Sequence, residues 1–141
     1  MLADLRNLSN SADDISYLLN SLGMDEKKDI IIDQYSHGMK QKLSLASALI
    51  GNPETIILDE ALNGLDPMSL INMKKKLKEL SRSGSTVLLS SHSLELVENL
   101  CQQIMILNKG KLVRQISQKD LRDIKEKEGK EFSDYFIELI K

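Results

Sequence analysis

Several features that would mark a secreted, membrane-spanning or nucleic-acid-coating protein are missing from this sequence. A single cysteine, Cys101, among 141 residues cannot build a disulfide framework, which fits a reducing cytosol. With Leu100 and Ile104 around it, it reads as a small buried hydrophobe rather than a reactive thiol. No stretch approaches the ~18 apolar residues that span a bilayer. The N-terminus lacks the charged-then-apolar pattern of a signal peptide. Any membrane role therefore comes through a partner. Charge of one sign is also scarce. The formal net charge is -2, so no broad basic surface for nucleic acid or anionic lipid is implied. The local run Lys74 to Lys76 reads as a solvated helix face. Internal repeats, low-complexity tracts and linkers are absent as well.

What is present is enough apolar content for a packed core, 41% of residues, and an alternation of helix-period and strand-type segments. A first helix is predicted from Ser11 to Leu22, with Ser11 and Asp14 in a capping-box pattern and Gly23 as the stop. Met24 to Tyr35 shows no clear period. A second helix is predicted from about His37 to Ile50, capped by Ser36 and ended by Gly51-Asn52-Pro53. Thr55 to Leu58 reads as a buried strand ending in Asp59-Glu60. Asp66-Pro67 is a cap followed by proline at the first turn, and Leu70, Ile71, Leu77 and Leu80 are spaced as the buried stripe of a helix that Gly84 ends. Thr86 to Leu89 reads as a second buried strand, followed by Ser90-Ser91-His92 and a short helix capped by Ser93. Ile104 to Leu107 and Lys111 to Ile116 flank the hairpin turn Asn108-Lys109-Gly110. The tail from Ser117 predicts one or two amphipathic helices with Leu121, Ile124, Tyr135, Phe136, Leu139 and Ile140 on their apolar faces. Strands separated by helices imply an α/β fold with a parallel sheet covered on both faces, and ligands bind such sheets beyond the carboxyl ends of the strands.

Three groups of residues stand where that rule puts a ligand. Asp59-Glu60 follow a buried strand. The Asp can hold a magnesium ion and the Glu can polarise a water for attack on phosphorus, though acids after a strand are also common in plain loops. Ser36-His37-Gly38 open a helix whose N–H groups suit phosphate oxygens, and Gly38 lets backbone approach a ligand closely; the plain alternative is an N-cap. His92, just past a strand end, can donate to a phosphate or a water, and a lone histidine is also often structural.

In order and spacing these groups resemble the C-terminal half of an ABC ATPase domain, from Tyr35 to about Ile116. Ser36-His37-Gly38-Met39-Lys40-Gln41 resembles the family's signature motif and Ile56 to Glu60 its Walker B strand and catalytic glutamate. Asn63-Gly64-Leu65-Asp66-Pro67 resembles the D-loop, Ser91-His92 the switch-histidine loop, and Ile104 to Ile116 the hairpin that follows. The resemblance implies a partial P-loop NTPase fold and a head-to-tail dimer holding ATP at its seam. In that arrangement Asp59 binds Mg and Glu60 orients water. His92 contacts the γ-phosphate in the same subunit, while Ser36, Gly38 and Gln41 face the ATP of the opposite subunit and Asp66 lies near the seam. It also implies a membrane-spanning permease as partner, no nucleic acid, and a cytoplasmic location on the inner face of the membrane. Residues 1–34 are expected to end the helical subdomain, 35–116 to form the C-terminal part of the core, and 117–141 a helical tail.

The departures from the family pattern are informative. His37 stands where many members have glycine, Met39 where many have glutamine, and Ala61-Leu62 where Pro-Thr or Pro-Ser is usual. The signature variant is similar to those of drug, bacteriocin and lipid exporters, which favours an exporter. A soluble, non-transport ABC ATPase and a non-hydrolytic fragment are the alternatives. No G-x-x-x-x-G-K-[ST] occurs, and with it the phosphate-loop strand, the amide cradle and the lysine are lacking. The expectation is that Met1 is an internal position of a longer domain, as a truncated chain, a split gene or a degraded gene would produce. The isolated chain is then expected to be inactive, with ATPase activity belonging to a complete domain.

Overall fold

The computed structural model describes residues 11–141. They divide into two compact units, one ending at Ser90 and the other running from Ser91 to Lys141.

The first unit opens with helix α1, Ser11–Ser21. The side chain of Ser11, and so its capping role, lies outside the described residues. The helix ends in a Schellman motif: Met24 N–H donates to the Leu19 carbonyl at 2.8 Å and Gly23 N–H to Asn20 at 2.9 Å, with Gly23 at φ 65°. Met24 is buried and seals that end. The aperiodic stretch that follows forms two short 3₁₀ turns, Asp25–Lys27 and Ile32–Gln34. Helix α2, His37–Leu49, starts where Ser36 accepts the Met39 N–H at 3.3 Å and buries Leu45, Ala46 and Leu49. Strand β1, Thr55–Asp59, leads through a loop to helix α3, Pro67–Arg82, and strand β2, Thr86–Ser90. β1 and β2 pair in parallel, Thr55 opposite Thr86 through Asp59 opposite Ser90. Helix α1 packs on α2 and α3, α2 on β1, and α3 on β2. The unit is thus α/β, a parallel pair with helices against it.

Two sequence expectations are corrected here. The sheet is buried on the Ile56 and Leu58 side only: Ile57 is 70% exposed and its register partner Leu88 is 48% exposed. Adjacent strand residues point to opposite faces, and the helices of this unit cover only one of them. On α3 the buried stripe is Ser69, Met73, Leu77 and Leu80, and Ile71 is 58% exposed. Two residues on from Ser69, Ile71 is rotated by about 200° to the opposite side of the helix.

The second unit begins with helix α4, Leu94–Leu100, capped by Ser93, whose hydroxyl accepts the Leu96 N–H at 3.3 Å. Strands β3, Gln103–Asn108, and β4, Lys111–Ser117, form an antiparallel hairpin with Lys109 and Gly110 both at positive φ, the geometry a two-residue turn needs. Two tail helices follow, α5, Gln118–Glu128, and α6, Phe132–Ile140. Val97, Ile104, Ile106, Ile116, Leu121 and Phe132 make the core of this unit, with Cys101, Tyr135, Phe136 and Leu139 packed against it. Burial raises the Cys101 thiol above its usual pKa, as expected of a packing residue rather than a nucleophile.

Candidate functional site

The carboxyl end of β1 sets the site. Asp59 ends the strand beside Ser90, and the Ser90 hydroxyl donates to Asp59 Oδ1. The same hydroxyl accepts the Glu60 N–H at 3.1 Å, and the Ser90 carbonyl is 3.2 Å from that N–H. Ser90 therefore holds both acids at the point where the strand stops. Glu60 adopts φ 49°, a left-handed conformation that disfavours side chains and costs on the order of 1 kcal/mol or more. Strain of this kind persists where surrounding structure fixes it, and it clusters at functional sites.

The loop beyond Glu60 is pinned at several points. Leu62 is buried. Asn63 N–H donates to the Glu60 carbonyl at 3.1 Å, and Asn63 Nδ2 donates to Glu60 Oε2. Gly64 sits at φ 73°, where a residue with a side chain would be strained. From α2, Gln41 Nε2 donates to the Asn63 carbonyl at 2.6 Å. Gln41 thus turns its amide inward, onto this loop.

Asp66 is held from three directions. It accepts the Ser69 N–H at 3.0 Å as the cap of α3, its Oδ2 lies 2.6 Å from the Ser69 hydroxyl, and Lys42 Nζ is 2.6 Å away. Lys42 also donates to the Leu22 carbonyl at 2.8 Å. The hydrogen bond from Lys42, then those from Ser69, keep the Asp66 carboxyl well below the usual carboxylate range. These contacts give Asp66 a structural task in joining α2 to α3.

Between α2 and the end of β1 lies a cleft of about 380 Å³. Its walls include His37, Lys40, Gln41 and Ser44 on one side and Ile57, Asp59 and Glu60 on the other. Ser36 and Gly38 are exposed at the start of α2. A Cβ placed on Gly38 would meet nothing within 4 Å. Among the described residues nothing therefore requires glycine at a position where it weakens the helix. His92 belongs to the second unit, where it is exposed one residue before the cap of α4. The sequence pointed to Asp59, Glu60, Ser36, Gly38, Gln41, Asp66 and His92; it missed Ser90, Asn63 and Lys42, which hold Asp59, Glu60 and Asp66. Ser90 had a readable signal, a hydroxyl at a strand end; Asn63 and Lys42 had none, because their partners are fixed only by the tertiary fold.

No cluster of three or more metal-binding side chains occurs among the described residues. The donor set still suits magnesium. Mg²⁺ commonly takes one or two carboxylates and completes its shell with water and substrate phosphates. Asp59, exposed at the strand end and oriented by Ser90, fits that part.

The family model described as ABC transporter matches residues 3–63. The chain is 38% identical over 108 residues to the methionine import ATP-binding protein MetN of Histophilus somni (strain 129Pt), covering 76% of this chain and 31% of that protein. It is 36% identical to the ABC transporter ATP-binding protein YhcH of Bacillus subtilis (strain 168), covering 89% of this chain and 39% of the relative. It is 35% identical to the bacitracin transport ATP-binding protein BcrA of Enterococcus faecalis, covering 86% and 39%. The chain thus spans roughly a third of the length of these relatives. Among solved structures, an ATP-binding subunit of an ABC transporter superposes with a TM-score of 0.86 at 26% identity, covering 98% of this chain and 58% of that one.

Proposed function

Because the chain belongs to the family of ABC transporter ATP-binding proteins, we propose that it supplies one face of an ATP-hydrolysing site that powers transport through a membrane-spanning permease. The observation that carries this reading is the strained Glu60 beside Asp59, fixed by Ser90 at the end of β1 and facing the start of α2 across the cleft. No other pair of adjacent acids in the described part of this unit combines a strand end, a fixed backbone and an open cleft.

In this reading Asp59 holds Mg²⁺, which when bound neutralises charge developing on the phosphoryl oxygens. Glu60 accepts a hydrogen bond from the attacking water and orients it. Ser36 and Gly38 present the positive end of α2 to the ATP bound by a second ATPase subunit. His92 donates to the γ-phosphate. Gln41 faces the loop after Glu60, so the α2 groups assigned to nucleotide are Ser36 and Gly38. The lysine and amide cradle of a phosphate loop are not among these residues. Residues 1–34 end the helical subdomain, 35–116 belong to the core and 117–141 form a tail. No described helix is long and apolar enough to cross a membrane; in this reading the permease holds the subunit at the inner face.

Export is the direction we assign. The variant Tyr35-Ser36-His37-Gly38-Met39 supports it; the likeness to a bacitracin transport protein supports transport without a direction. The likeness to methionine import proteins favours import as the second reading. The test of hydrolysis is Glu60→Gln in the assembled transporter: nucleotide binding is retained and turnover falls by about 10²- to 10⁴-fold. Turnover at the unsubstituted rate shows that Glu60 is not the base. Energised vesicles of known orientation, loaded or unloaded with substrate, decide between export and import.

A further inference from the structure

We propose that Asn63 is the positioning residue for the Glu60 carboxylate, and that through Gln41 it ties that carboxylate to helix α2. The inference rests on the reading of Glu60 as the group that orients water. Glu60 is exposed, so packing does not fix its side chain. Asn63 grips it twice: its backbone N–H donates to the Glu60 carbonyl at 3.1 Å and its side-chain amide donates to Oε2. A neutral amide suits this task. It orients a carboxylate by hydrogen bonding and leaves the negative charge in place, where a lysine would pair with that charge and an aspartate would repel it.

Asn63 is itself held from α2. Its carbonyl accepts Gln41 Nε2 at 2.6 Å, and the Gly64 that follows turns the chain at φ 73°, a left-handed conformation that favours glycine. The path runs from α2 through Gln41 and the Asn63 peptide to the Glu60 carboxylate, each step a hydrogen bond. A displacement of α2 relative to β1 therefore moves the carboxylate. Residues Gln41 and Ser36 share that helix or its cap, so the end of α2 assigned to the opposite ATP and the water-orienting acid are joined within one unit.

Two measurements test this. The first uses the chain itself and a double-mutant cycle in urea at pH 7 with Asn63→Asp, Glu60→Gln and both together. Asn63→Asp alone sets two carboxylates against each other, whereas in the Glu60→Gln background donor and acceptor merely exchange sides. The expected result is a fall of about five-fold or more in the folding equilibrium constant with Glu60 present, and a change under about two-fold in the Glu60→Gln background. Equal effects in the two backgrounds overturn the contact. The second uses the assembled transporter. Asn63→Ala is expected to lower kcat by roughly 10- to 100-fold with KM for ATP changed by less than about two-fold, and Gln41→Ala to lower kcat in the same sense by less. An unchanged kcat for Asn63→Ala, where Glu60→Gln has abolished turnover, overturns the positioning role. An unchanged kcat for Glu60→Gln overturns the underlying reading of Glu60, and is recognised as such because the cycle on the chain is independent of turnover.

Discussion

Helices α2 and α5 both begin at a serine whose hydroxyl accepts a backbone N–H, yet the two starts are finished differently. At α5, Ser117 accepts the Asp120 N–H and Asp120 reaches back to the Ser117 N–H at 2.8 Å, a closed capping box. The Ser117 contacts hold the Asp120 carboxyl below its ordinary pKa. The positive end of α5 thus has its anion within the chain. At α2, Ser36 caps Met39, but no acid stands in the first turn and Gly38 leaves that surface open. The contrast separates a helix start closed by its own acid from one whose first turn carries none.

The largest effect should come from closing the open start. Gly38→Asp places a carboxylate where an opposite phosphate is assigned. The chain should fold at least as well, since an acid in the first turn favours the helix. In the assembled transporter, turnover should fall by roughly 10²-fold or more, the scale of losing a preorganised anion contact. ATP-dependent association of ATPase subunits, followed by sedimentation, should weaken in parallel. Unchanged turnover would show that the start of α2 meets no phosphate.

Helix α3 is a third case, in which the acid is the cap itself. Asp66→Ala removes the cap, with an expected loss of about 1–2 kcal/mol in urea unfolding. Acid titration gives the sharper test. The folded-state pKa of Asp66 is depressed, so its stabilisation is complete above the unfolded value near 4 and fades as pH falls below it. Asp66 is about half exposed, so solvent and salt screen part of the Lys42 attraction. Urea midpoints between pH 6 and 2.5 should fall less steeply for Lys42→Ala than for the unsubstituted chain. Identical slopes would mean that the ion pair contributes nothing to the acid sensitivity.

A smaller effect separates the two serine caps directly. Ser117→Ala should cost about 1 kcal/mol or more, because the hydroxyl loses its bond to the Asp120 carboxylate as well as the one from the Asp120 N–H. Ser36→Ala should cost less, since only the 3.3 Å bond to Met39 goes. Urea unfolding of the two variants side by side checks the order, and the reverse order would contradict the comparison.

The same contrast explains what the sequence made legible. Helix starts were readable because Ser36, Asp66, Ser93 and Ser117 are local devices, each acting on a backbone group within three residues. The α/β order, the hairpin at Asn108-Lys109-Gly110 and the acids at the end of β1 follow from equally local signals. Burial of a strand face is not local. Ile56 and Ile57 are chemically identical neighbours, and only the position of α2 and α3 decides that one is buried and the other 70% exposed. The support of Glu60 was hidden for the same reason. Gln41 and Asn63 are separated by 22 positions, and only the packing of α2 on β1 brings them together. The left-handed backbone of Glu60 had no signature either, because glutamate is not a residue that suggests it.

The smallest expected effect is the one that best separates stability from function at the open helix start. Gly38 lies in the first turn of α2, and its φ is outside the left-handed region in which glycine is needed. Beyond its own turn of helix, a methyl group there meets no atom of the described residues within 4 Å. Alanine loses less backbone entropy than glycine on entering a helix, so Gly38→Ala should stabilise the chain by about 0.5–1 kcal/mol. The urea midpoint should rise with the slope unchanged. In the assembled transporter the same methyl group would stand between the α2 backbone and an approaching phosphate, and turnover should fall. A gain in stability joined to a loss of turnover is the signature of a glycine kept for what lies outside the chain. Should Gly38→Ala destabilise the isolated chain, glycine is demanded by this fold itself, and the open start of α2 ceases to argue for an external anion.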